Sequence, residues 1–149
     1  MGRWGLIFTA LLLAGCSPSA GKASSPPASS ASSSSSTAAL ARVVGTVSLA
    51  DPNGWESGGD LSVGAACHGT GGFSDINGGA QVVVSDDAGK TLAITSLRGG
   101  KLTSGFQCRF LFTVQVPGGL GFYGVTVTHR GTLKESEADL GNVSLTLGG

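Results

Sequence analysis

The sequence predicts an all-β domain, an antiparallel sandwich over residues 42–149, and three observations carry that expectation. Apolar residues recur every second position in several short stretches, the spacing that puts side chains on alternate faces of a strand. Turn-forming residues separate those stretches, and Gly alone fills 26 of the 149 positions, a content that suits turns better than helices. No stretch of the domain shows a convincing 3.6-residue period. About six short strands with turn signals between them fit two packed sheets.

Taken in order, Val43, Gly45, Val47 and Leu49 alternate with Val44, Thr46 and Ser48, which predicts the first strand. Asp51-Pro52-Asn53-Gly54 ends it with strong turn chemistry. Residues 55–79 then lose all periodicity and carry Gly58-Gly59, Gly64, Gly69, Gly71-Gly72 and Gly78-Gly79. A loop of that length inside a compact domain is usually functional or pinned. Trp55 and Phe73 are expected to fold back over the core as lids.

A second strand runs over 80–85 with Val82 and Val84 on one face, followed by the hairpin turn Asp86-Asp87-Ala88-Gly89-Lys90, where Gly89 supplies the left-handed position. The third strand, 91–97, is expected to point Leu92 and Ile94 inward. Residues 98–105 read as a loop. The clearest strand is 108–116: Cys108, Phe110, Phe112, Val114 and Val116 share one face, with Arg109, Leu111, Thr113 and Gln115 on the other. Burying its two phenylalanines should contribute roughly 1.5–3 kcal/mol each. Pro117-Gly118-Gly119 forces a turn, Tyr123, Val125 and Val127 mark the next strand, and His129-Arg130-Gly131 closes it. The charged stretch 133–140 reads as a helical turn or a sheet edge, and Val143, Leu145 and Leu147 form the last strand.

Ahead of the domain stand two segments of different character. Residues 1–15 have the layout of an export signal: Arg3, then an apolar run from Trp4 to Ala14. That run is well short of the ~20 residues a membrane-spanning helix needs. Leu13-Ala14-Gly15-Cys16 resembles the bacterial lipobox. The resemblance implies a diacylglycerol on the Cys16 thiol, cleavage before Cys16, and a further acyl group such as palmitate on the new amine. Each buried methylene adds about 0.8 kcal/mol, so two or more chains anchor firmly. Residues 17–39 are nearly all Ser, Ala, Pro and Gly with a single Lys22, too poor in apolar surface to offset the entropy of ordering. Residues 16–41 therefore read as a lipidated cysteine and a disordered linker, with an r.m.s. reach of roughly 25–30 Å. Its Ser and Thr residues are candidate acceptors of O-glycans.

With Cys16 assigned to lipid, Cys67 and Cys108 remain as an even pair in a chain that reads as exported, and a disulfide between them is the simplest reading. Closing a loop of about 40 residues would contribute up to roughly 4 kcal/mol. A metal site using Cys67, Cys108 and His68 lacks a further Cys or His at ligand spacing. Loss of Arg3 on cleavage leaves eight Lys plus Arg against nine Asp plus Glu, a formal net charge of −1. There is no basic stripe and few aromatics, which argues against nucleic-acid partners and leaves membrane attachment to the lipid.

The hairpin Val82-x-Val84-x-Asp86-x-x-Gly89-Lys90, followed by Phe110-x-Phe112-x-Val114-x-Val116-Pro117 and Tyr123-x-Val125-x-Val127, resembles the transthyretin-like or carboxypeptidase-regulatory type of immunoglobulin-like module. The match spans about a third of the chain. Gly72-Phe73-Ser74-Asp75-Ile76, the hairpin, and Tyr123-Gly124-Val125 leading to His129-Arg130-Gly131 are similar to a group of small actinobacterial lipoproteins and secreted proteins. These resemblances imply an immunoglobulin-like sandwich and an extracytoplasmic location, and no activity.

The candidate chemistry is sparse. A hydrolase needs a nucleophile with a base. His68 neighbours a cysteine expected to be oxidised, His129 stands at a strand end, no serine lies in Gly-x-Ser-x-Gly, and Asp75 and Glu135 form a carboxylate pair only if the fold joins them. No catalytic residue is assigned. Asp51-Pro52-Asn53-Gly54 and Asp75-Ile76-Asn77-Gly78 each begin like a calcium loop. Position twelve, however, is Ser62 or Asp86 rather than a bidentate glutamate, so no metal ligand set or cofactor is assigned. The candidate binding loop is 55–79 with Trp55, His68, Phe73 and Asp75, at one end of the sandwich where such folds carry recognition loops. An exposed apolar patch around Trp55 and Phe73 would favour binding, and their burial would favour a structural role. The expected function is a non-enzymatic, lipid-anchored display module on the extracytoplasmic face of the cell membrane. Its expected partner is an envelope protein, a glycan or a lipid. A calcium- or ligand-binding module is the alternative, ahead of a small hydrolase.

Overall fold

The computed structural model describes residues 39–148. The expected signal peptide, the lipidated Cys16 and the linker up to residue 38, with its candidate glycan acceptors, lie outside the described residues. The domain is all-β, a sandwich of two sheets with one disulfide. The strands are β1 (Leu40–Leu49), β2 (Trp55–Glu56), β3 (Ala66–Gly69), β4 (Gln81–Asp86), β5 (Thr91–Ser96), β6 (Gly100–Leu102), β7 (Cys108–Pro117), β8 (Phe122–Val127), β9 (Thr132–Ser136) and β10 (Val143–Leu147). Six of them form one sheet in the order β10-β1-β7-β6-β3-β2, and four form the other in the order β5-β4-β8-β9.

The core lies where the alternating faces meet. In β7, Cys108, Phe110, Phe112 and Val116 are buried, and β1 sets Leu49, Val47 and Gly45 opposite Cys108, Phe110 and Phe112. Gly45 is needed there, because a Cβ would enter the Phe112 ring. From the second sheet, Val82 and Val84 of β4 pair with Val127 and Val125 of β8, all buried. The hairpin between β4 and β5 forms as expected. Asp86 Oδ1 accepts from the amides of Ala88 (3.0 Å) and Lys90 (2.8 Å), and Gly89 adopts φ 81°. Tyr123 stands buried at the start of β8, its hydroxyl 2.9 Å from Pro117 O and 3.2 Å from Glu137 Oε2. Burial raises its pKa, so it stays a hydrogen-bond donor.

Five expectations are corrected. First, β1 begins at Leu40, and Ala39 O accepts from Gly118 N at 2.7 Å, so residues placed at the end of the linker belong to the sheet. Second, β10 runs parallel to β1, the exception to otherwise antiparallel pairing. First and last strands can lie so because the whole intervening chain serves as their connection. Third, Ile94 points outward at 59% exposure. A register shift between Val84 and Ser85 makes Leu92 an extra residue on β5, so Leu92 and Ala93 both pack on the core and the alternation inverts beyond them. Fourth, residues 98–105 contain β6, which pairs with both β3 and β7. Fifth, 55–79 is not a plain loop. It contributes β2 and β3 to the larger sheet and a 3-10 turn at Gly71–Phe73. The ambiguous 133–140 stretch is both of its readings, strand β9 followed by a 3-10 segment at Glu137–Asn142.

The sheets meet at one corner. The edge of β7 that pairs with β6 at its start receives Arg98 N at Leu111 O (2.8 Å) and Thr95 Oγ1 at Thr113 O (3.3 Å). This handover brings the 98–102 segment beside the outward face of β7.

Candidate functional site

The 55–79 segment is held by separate fasteners. Cys67 on β3 and Cys108 at the start of β7 form the expected disulfide, although β6 lies between their strands. Gly100 of β6 makes room for the crossing, since a Cβ there would meet Cys67 O, the Phe110 ring and the Cys108 sulfur. Beyond β3, Gly69 N donates to Ile76 O at 3.0 Å, and Ile76 is fully buried. A side chain at Gly69 would strike the Phe73 and Ile76 carbonyls, so glycine is what lets this segment fold back on itself.

Trp55 is only 9% exposed and belongs to the core, and Phe73 packs partly buried against it. These two aromatics are therefore lids, and they form no exposed apolar patch. The Trp55 indole nitrogen is buried without a hydrogen-bond partner among the described residues.

Asp75 is the centre of a clamp. Its carboxylate accepts from Arg130 at both oxygens, with Nε at 3.1 Å from Oδ2, and from the Thr128 hydroxyl at 2.6 Å. The Arg130 Nη2 also donates to Gly72 O at 2.6 Å, and the guanidinium lies 5.0 Å from the Phe73 ring centroid. Thr128, a β-branched residue at φ 50°, is in a strained conformation, which its Asp75 bond and its amide bond to Gln81 O (2.9 Å) hold in place. The clamp thus ties the Gly-rich segment to the turn after β8. Hydrogen bonding from Arg130 pulls the Asp75 carboxyl down to about 2, against the opposing effect of burial. Its partner's pKa rises for the same reason.

The other candidates are apart from this cluster. His68 sits opposite Glu56 on the β2–β3 pair, its Nε2 2.9 Å from Oε1, with both side chains more than half exposed. Glu135 is on β9 opposite Tyr123, and Asp75 pairs with Arg130 instead. His129 is exposed in the turn. Among the described residues no hydrogen bond joins a hydroxyl to either histidine. The acidic side chains proposed for calcium are engaged elsewhere: Asp51 caps Asn53 N at 2.9 Å, Asp86 caps its hairpin, and Asp75 holds a guanidinium. No group of three or more His, Cys, Asp or Glu among the described residues is placed to hold a metal ion.

A different place in the molecule has the shape of a site. A groove of about 610 Å³ opens where the 98–104 segment and the 63–64 bend meet the outward face of β7. Its apolar lining is Val63, Leu102 and Leu111, and its charged lining is Arg98, Lys101 and Arg109. Sequence reasoning assigned Arg109 and Leu111 to one face but did not connect them with Arg98 and Lys101. A signal was present: residues 98–109 carry three cations and no acid.

No protein-family model, curated protein or solved structure matches this chain. The functional reading therefore rests on the residues themselves.

Proposed function

We propose that the protein is a lipid-anchored, non-enzymatic display protein that holds its β-sandwich outside the cell membrane on a Ser/Ala-rich spacer. The observation that carries this reading is the account of the three cysteines. Cys67 and Cys108 consume each other in a disulfide, a bond favoured in oxidising, extracytoplasmic compartments. Cys16 is the remaining thiol, and it follows Leu13-Ala14-Gly15, where a lipid-modification site is expected. The spacer composition supports display, because a chain that cannot bury apolar surface keeps the sandwich clear of its anchor. Within the domain, burial of Trp55 and engagement of Asp75 favour a structural role for 55–79, and the groove beside β7 is the better candidate for recognition.

The test is intact-mass analysis of the native protein together with fractionation of a Cys16→Ala variant. The expected native species starts at Cys16, carries acyl groups and has no titratable thiol, and the variant leaves the membrane fraction. A native chain without acyl mass, or a variant that stays membrane-bound, would overturn the reading.

A further inference from the structure

We propose that the groove beside β7 is a binding site for a single anionic amphiphile, a molecule with a phosphate or carboxylate head and an apolar tail. This inference goes beyond the display reading and does not depend on the anchor.

Charge is the first argument. Lys101 and Arg109 occupy directly opposite positions across the β6–β7 pair, and both line the groove with Arg98. Like charges facing each other across a ladder are destabilising. The ion pairs among the described residues are His68–Glu56, Arg130–Asp75 and Lys134–Asp87, so the three groove cations pair with no carboxylate there. None of the residues lining the groove is acidic. In a chain of zero formal net charge, this concentration leaves a local demand for an anion. Arginines are suited to meet it, because their planar guanidinium forks match carboxylate and phosphate oxygens.

The walls give the second argument. Val63 is 70% exposed and Leu111 45% exposed, and they offer apolar surface next to the cations, with the buried Leu102 beneath. An inorganic anion alone would leave that surface wet. A neutral apolar ligand would leave the cations facing one another. A molecule with both parts satisfies both, and the volume falls within the roughly 300–1,000 Å³ of small-ligand clefts. The rim residues Thr103 and Ser104 belong to a tight turn, with Thr103 N bonded to Gln107 O at 2.9 Å. Phe106, in that same turn, is held exposed at φ 53°, a strained conformation for a bulky residue.

The site is assembled from three pieces of the chain. The disulfide holds β3 to β7 across β6, and the Arg98 N bond to Leu111 O fixes the entrance of the cationic segment. Lys101, Arg109 and Leu111 are therefore mounted on paired strands, and Arg98 is held at the bend that leads into them.

The test is calorimetric titration of the full chain with octyl phosphate below its micelle concentration. Octyl glucoside serves as the same tail without charge, and inorganic phosphate as the charge without tail. Octyl phosphate should bind at least about tenfold more tightly than either control, and the variant K101Q/R109Q should lose about tenfold, the scale of one charge-assisted hydrogen bond. The unfolding midpoint of the native chain should rise with octyl phosphate and not with the controls, a readout that needs no variant. Equal affinity for inorganic phosphate would reduce the site to a cationic patch, and equal affinity for octyl glucoside to an apolar one; either overturns the proposal. So would charge-dependent attachment to phosphatidylglycerol vesicles, relative to phosphatidylcholine, without binding of monomeric octyl phosphate, because the occupant would then be a bilayer surface.

Discussion

Strand β7 presents Cys108, Phe110, Phe112 and Val116 to the core at every second residue or multiples of it, and its partner β1 runs beside it over its whole length. The 55–79 segment, in the same domain, has two short strands, a 3-10 turn and many glycines, and it is held at points. Those points are the Cys67–Cys108 bond, the Asp75–Arg130 clamp and the buried Ile76. The difference teaches that one domain can use two means of definition. Where apolar periodicity is available, stabilisation is spread over many contacts and no single partner is specific. Where it is not, a few directional or covalent links must each be in place.

The largest effect should come from the distributed region. Phe110→Ala, at a fully buried position, should cost about 3–5 kcal/mol and unfold both regions together in urea. If 55–79 kept its protection while the sheets melted, the two regions would be independent and the comparison would fail. Next comes removal of the disulfide by Cys67→Ala with Cys108→Ala. About 2–4 kcal/mol should be lost, with hydrogen exchange accelerated first in 66–76 and least in β4 and β8. Uniform acceleration would show that the bond serves the whole sandwich rather than the segment.

Arg130→Gln should cost less, about 1 kcal/mol, because the pair is partly solvent-screened. It also has a pH signature. The Asp75 carboxyl is held at about 2 in the folded chain, below the ordinary value of about 3.9 expected on unfolding. Its contribution is therefore complete above about pH 4 and is lost as pH falls from there toward 2. Unfolding curves of native and Arg130→Gln chains should converge over that window, and a constant gap between them would remove the clamp as the cause. The smallest effect belongs to His68→Gln, whose pair with Glu56 is exposed. A change within roughly 0.5 kcal/mol is expected at neutral pH, and a larger one would mean that the β2–β3 edge matters more than its exposure suggests.

The core strands were legible because alternation is a local property. Phe110 and Phe112 declare their face without reference to any other segment. Ile94 was misread for the same reason: one extra residue on β5 inverts the alternation, and a bulge leaves no mark that counting positions detects. In 55–79, turn chemistry was visible while β2 and β3 were not, since strands of two and four residues are recruited by their neighbours. Asp75 was noticed but its bond to Arg130 was not, because that partner lies 55 positions away. The groove was hidden by the same distance problem, with its cations split between two strands and a connecting bend.

The order of residues along the chain was enough to mark the main strands, the Asp86–Lys90 hairpin turn and the pairing of the two domain cysteines. Side chains alternate in direction along an extended backbone, and turn residues act on their immediate neighbours, so both leave a readable local trace. Packing in three dimensions decided the rest. The parallel return of β10 beside β1, the capture of Asp75 by Arg130, and the placing of Lys101 opposite Arg109 each depend on two distant stretches meeting. Such meetings are selected by the energy of the assembled sandwich, which no single stretch of the chain contains.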